Sequence, residues 1–160
     1  MPISRTYLEQ FERVKRWYER FERINNGKAF DCSPDCLQDE VYAFFFNCYH
    51  LKDWIKNDAK IGAAAAKVEG FINQNNNLGL CADICNGLKH LRRTSSRSGQ
   101  DPKFGPRKFA VQIGGPETTI SVKYSIDTSI GSVDAFELAT NCLQAWEKFI
   151  KSNVNVKASA

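Results

Sequence analysis

Residues 33–58 read SPDCLQDEVYAFFFNCYHLKDWIKND, and this stretch decides the fold class. Ser33 is a favourable helix cap, Pro34 suits the first helical position, and Asp35 places a carboxylate in the first turn. Val41, Phe44, Phe45, Cys48, Leu51 and Ile55 then recur at three- and four-residue spacing, the period of one helix face. A long amphipathic helix to about Asp58 follows. Its opposite face carries Phe46, His50, Asp53 and Trp54. Two aromatics of that size need a cover, from the chain's own elements or a second subunit. His50 and Asp53 are three apart, so the carboxylate can orient the imidazole.

Working outward, the N-terminal side has the same period. Tyr7, Phe11, Val14, Tyr18 and Phe21 predict a first helix over residues 4–25, ended by Asn25-Asn26-Gly27. This helix is crowded with Arg5, Arg13, Lys15, Arg16, Arg20 and Arg23. Glu9 with Arg13, Glu12 with Arg16 and Glu19 with Arg23 stand four apart in the favourable order, which predicts a solvated face of ion pairs.

On the C-terminal side a third helix is expected over Ala63–Asn73 and a fourth from about Leu78 to Arg92. The stripe of the fourth is Cys81, Ile84, Cys85, Leu88 and Leu91. The segment TSSRSGQDPKFGP (94–106) has no period and reads as a mobile basic loop. The period then becomes two: Phe109, Val111 and Ile113 alternate, Gly114-Gly115-Pro116-Glu117 turns, and Ile120, Val122, Tyr124 and Ile126 alternate again. That is a β-hairpin, too small to stand alone, so it must pack on helices. Ser132 or Asp134 starts a last helix to about Ser152. The expectation is one mainly α domain over 1–160: a helical core over 4–92, a basic loop over 93–107, a β-hairpin over 108–126 and a last helix over 133–152. It is a bundle of four to five helices with one antiparallel hairpin inserted before the last.

The chain has 160 residues and a net charge of +4, enough to permit contact with nucleic acid but not to demand it. No apolar run reaches the roughly 18 residues of a membrane span, and the first residues lack a signal-peptide core. A cytoplasmic protein with reduced cysteines is expected. Six cysteines are present. Two Cys-x-x-x-Cys pairs, Cys32/Cys36 and Cys81/Cys85, were weighed as zinc ligands, but the usual two-residue knuckle is absent and no metal is assigned. No dinucleotide or phosphate-loop fingerprint implies a cofactor.

On the fourth helix, about 100° per residue places Asp83, Asn86, His90 and Arg93 opposite the stripe, with Lys89 at the boundary. If the second and fourth helices are neighbours, His50, Asp53, Asn86 and His90 can converge on one cleft. Two imidazoles suit acid–base cleavage of RNA, with Asp53 the orienter and Asn86, Lys89 and Arg93 holding substrate. The same groups suit a divalent metal, or a hydrogen-bond network pinning two helices.

The segment Asn86-Gly87-Leu88-Lys89-His90, on the fourth helix of a bundle, resembles the HEPN superfamily. The fold pattern extends over residues 4–92 and the motif over 86–90. The resemblance implies a helical, dimerising domain, in many members a metal-independent ribonuclease of toxin–antitoxin, abortive-infection or CRISPR-associated systems. His90 takes the catalytic histidine position and Asn86 a polar position of the motif. The family's arginine would fall at 83–85, where this chain has Asp83, Ile84 and Cys85, as expected of a non-catalytic relative. Beside this stands a non-enzymatic alternative: a dimeric protein-interaction module in which Phe46 and Trp54 form the surface.

Overall fold

The computed structural model describes residues 5–91 and 95–154. Helix α2, Pro34–Asn57, is its axis. The cap forms as its residues dictate: Ser33 Oγ accepts from the Cys36 amide at 3.2 Å. The stripe Leu37, Val41, Phe44, Phe45, Cys48, Leu51 and Ile55 is fully buried. Helix α1, Tyr7–Asn26, packs along α2. The Tyr7 amide donates to Asp58 Oδ2 at 2.9 Å, so the end of α2 caps the start of α1.

The expected third helix divides in two. Residues Gly62–Lys67 form a 3-10 turn, and α3 is helical over Val68–Gln74. Of the alanines 63–66 only Ala64 is buried, so little packing there fixes an α-helical face. Helix α4, Asn76–Lys89, is capped by the Asn75 side chain. Helix α5, Ala135–Asn153, is capped by Asp134, which accepts from the Glu137 amide at 2.8 Å. Trp146 of α5 is buried in the centre, and its indole N–H donates to the Cys48 carbonyl at 3.0 Å. A buried indole needs such a partner.

The helical content is as expected, but the single hairpin is not. Two three-stranded antiparallel sheets are present. The first orders β1 (Lys28–Ala29), β4 (Thr119–Lys123) and β3 (Lys108–Gln112). Its β3–β4 pair is the predicted hairpin, with Phe109 opposite Val122 and Val111 opposite Ile120. The second orders β2 (Lys103–Phe104), β5 (Ser125–Thr128) and β6 (Gly131–Asp134). The alternation from Ile120 to Ile126 runs unbroken and all four apolar residues are buried. What changes at Tyr124 is the pairing partner, which periodicity does not report.

Strand β2 lies inside the segment expected to be a mobile loop. Its Phe104 ring packs 4.9 Å from Tyr42, 6.0 Å from Phe45 and 6.3 Å from Tyr124. Pro102 is buried. The segment is therefore attached to the core.

Because Trp146 fills the junction of α2 and α5 and satisfies a helix carbonyl, Trp146→Ala should cost about 3–5 kcal/mol. Urea unfolding followed by circular dichroism measures it; a loss below about 1 kcal/mol would contradict this packing.

Candidate functional site

Helix α4 does not have the two-faced character the wheel assumed. Its residues from Leu78 to Cys85 are all buried, because α2, α3 and α5 pack on it and residues 96–98 cover the remaining side. Asp83, expected on an exposed face, is 1% exposed. Its Oδ1 accepts from the Arg97 amide at 2.7 Å. Its Oδ2 accepts from Ser96 Oγ at 2.8 Å, the Ser98 amide at 2.9 Å and Ser98 Oγ at 2.5 Å. Burial alone would raise its pKa; these donors outweigh burial and hold the carboxyl below its ordinary value.

The docked segment carries Arg97 to a second group. Arg97 Nη2 lies 2.8 Å from Glu69 Oε2, and its guanidinium stacks 5.8 Å from the Tyr49 ring. Lys56 and Lys52 reach Glu69 Oε1 at 2.9 and 3.5 Å. Lys52 also meets Asp53 Oδ1 at 2.9 Å, and Asp53 Oδ2 lies 3.3 Å from His50 Nδ1. The other ring nitrogen of His50 lies 3.9 Å from Cys85 Sγ. His50, Asp53, Lys52, Glu69 and Arg97 thus form one connected surface network, with Cys85 at its inner wall. Burial opposes ionisation of Asp53, but Lys52 and His50 outweigh it and lower its pKa. Burial also acts on Glu69, where Lys56 and Arg97 prevail and draw its pKa to about 2. Burial pushes the Cys85 thiol up to about 12, so it rests as a thiol.

His90 is elsewhere in this architecture. Helix α4 ends at Lys89, and His90 is the extended residue that follows it, φ −121° and ψ 140°. A helical wheel therefore does not place it. It is exposed at the rim of a cavity of about 560 Å³ lined by Tyr42, Ile84, Leu88, Lys103 and Phe104 among others. His50 is not among the lining residues. The structure pairs His50 with Asp53, and among the described residues His50 does not line the cavity that His90 lines. Asn86 is half-buried and its carbonyl accepts from the His90 amide at 3.1 Å. Lys89 is exposed. Arg93 lies outside the described residues.

Phe46 and Trp54 are both partly buried within the single chain. Trp54 packs against the core and lies under the Arg13 guanidinium at 5.6 Å. The cover they required is partly intramolecular.

The arginines of α1 depart most from expectation. Glu9 and Arg13 pair at 3.1 Å, but Glu12 is engaged by Lys15 at 2.9 Å. Among the described residues, Arg16, Arg20 and Arg23 form no ion pair within 4.0 Å. Spaced at intervals of four and three, they share one face. Together with Arg13, Trp17 and Glu19 they line a shallow groove, and Arg20 stacks 4.7 Å from the Trp17 ring. Of the three pairs expected from spacing, Glu9–Arg13 forms, Lys15 takes the Glu12 expected for Arg16, and Glu19–Arg23 does not form among the described residues.

The Cys-x-x-x-Cys pairs do not combine. Instead Cys48, Cys81 and Cys142 bring their sulfurs within 4.8 Å of one another. Compared with known proteins, the chain matches no family model, no curated protein and no solved structure. Among the described residues, no helix is long and apolar enough to cross a membrane.

A carboxyl with a depressed folded pKa stabilises the protein above its unfolded pKa, and that stability is lost as pH falls through the folded value. Glu69→Gln should therefore have a melting temperature that falls less than wild type between about pH 4.5 and pH 2. Parallel pH-dependent slopes for the two proteins would show that the Glu69 network contributes nothing.

Proposed function

We propose that this chain is an RNA-binding helical domain of HEPN-like kind that holds RNA on the arginine–tryptophan face of α1 and does not cleave it. The observation that carries this reading is the row Arg16, Arg20 and Arg23 beside Trp17, which among the described residues forms no ion pair within 4.0 Å. Unpaired guanidinium groups supply phosphate contacts, and an indole offers a stacking surface for an unpaired base. Binding is favoured over cleavage on two grounds. Among the described residues His50 does not line the cavity that His90 lines, and Asp83, at the start of the span where the family's arginine falls, is occupied in holding residues 96–98. The six free cysteines fit a reducing, cytoplasmic setting.

Self-association is a second reading with its own observation. Among the described residues strand β3 is an edge strand, and Phe109 and Val111 on it, with Ile113 just after it, remain exposed. A two-fold axis through Ala110 would set Phe109 opposite the partner's Val111, an aromatic–aliphatic cross-strand pair. It would set Lys108 opposite the partner's Gln112, so no like charges meet.

Fluorescence anisotropy with a labelled single-stranded RNA tests the first reading. Affinity should fall with salt, and the combined Arg16→Ala, Arg20→Ala and Arg23→Ala variant should bind more weakly, with a log–log salt slope flatter by about 2, at roughly 0.7 per lost phosphate contact. His90→Ala should bind as wild type, with the RNA intact in both. Wild-type affinity in the triple variant would refute the assignment. Light scattering of the same samples reads the second proposal: a dimer mass lost in Val111→Lys supports it, and a monomer at every concentration contradicts it.

A further inference from the structure

We propose that Cys48, Cys81 and Cys142 form a binding site for a trivalent thiophilic metalloid, of which arsenous acid is the simplest form. Three helices each deliver one sulfur to a common point: α2, α4 and α5. All three residues are at most 1% exposed. Among the described residues no His, Asp or Glu joins the set, so three soft donors and no hard ones face the centre. Thiolate sets of this kind select soft elements.

Charge decides which soft element fits. The only buried polar or charged residues are Gln10, Asn25 and Asp83 among those described, so no buried lysine or arginine offsets an anion. Three thiolates around a divalent ion would leave one net negative charge in the core, and around a monovalent ion two. Uncompensated buried charge is strongly disfavoured. A trivalent centre leaves none. The reaction keeps this balance throughout. Arsenous acid, As(OH)3, is neutral. Each thiol replaces one hydroxide: an As–O bond breaks, an As–S bond forms, and the thiol proton leaves with the hydroxide as water. Three thiols release three waters, and no atom changes oxidation state.

Two of the three thiols are held in place by hydrogen bonds. Cys142 Sγ donates to the Asn77 carbonyl at 3.3 Å and Cys81 Sγ to the Phe45 carbonyl at 3.6 Å. A fourth thiol lies on the same helix as Cys81. Cys85 stands one helical turn from Cys81, and its sulfur lies 3.9 Å from the half-exposed His50 ring. His50 and Cys85 thus stand between the protein surface and the α4 sulfur of the cluster.

The test uses the full chain carrying Cys32→Ser and Cys36→Ser, which removes the accessible pair as a competing trap. Titration with sodium arsenite, without added thiols, should give one arsenic per chain. Native mass spectrometry should show the gain of one arsenic and the loss of three hydrogens, and thermal unfolding should shift upward. Adding Cys142→Ser should abolish the tightly held arsenic while circular dichroism stays native. If that variant does not fold, arsenic-edge X-ray absorption of the parent, showing three sulfur neighbours, carries the same decision. His50→Ala should slow loading and leave the stoichiometry at one. Loss of all arsenic binding on removing Cys32 and Cys36 would overturn the site, as would zinc(II) matching arsenite in mass gain and thermal shift.

Discussion

A carboxylate enclosed by helices must be surrounded by donors, and Asp83 sets that demand on the rest of this molecule. Helix α4 is too deeply packed to expose it. The nearest unspent backbone amides belong to the segment after the helix, and Arg97 and Ser98 supply them. Once residues 96–98 are fixed there, Phe104 falls against Tyr42 and Phe45. Strand β2 is then in place to pair with β5, and the second sheet follows. The same docking carries Arg97 to Glu69 and Tyr49, closing the surface network that includes His50.

That chain of consequences explains which parts of the fold were legible in the sequence. Helices α1, α2 and α5 announce themselves through period and caps, because each buries one stripe and exposes the rest. Helix α4 is buried nearly all round in its first turns, so a wheel with one apolar face misplaces Asp83. Residues 94–106 carry the composition of a mobile loop, yet four serine and amide donors and one phenylalanine tie part of them down. Neither tie has a period. The continuous alternation from Ile120 to Ile126 correctly marks buried residues but is silent on which strand pairs with which.

The candidate site divides along the same line. The His50–Asp53 pair was readable because both residues lie on one helix three positions apart. The approach of Cys85 to His50, and of Cys142 to Cys48 and Cys81, joins residues far apart in sequence and had no local signal. The unpaired arginines of α1 were hidden by the opposite mistake. Favourable spacing suggested partners, but Lys15 takes Glu12, and among the described residues Arg16, Arg20 and Arg23 stand beside Trp17 without an ion pair within 4.0 Å.

Residue-level hydrogen exchange of wild type and Asp83→Ala tests the dependence on this carboxylate most directly. If Asp83 organises the segment, the Arg97 and Ser98 amides are protected in wild type and exchange rapidly in the variant, while amides in α2 and α5 stay slow. Unchanged protection at Arg97 and Ser98 without the carboxylate would contradict the account, since some other contact would then be holding the segment and the sheet built on it.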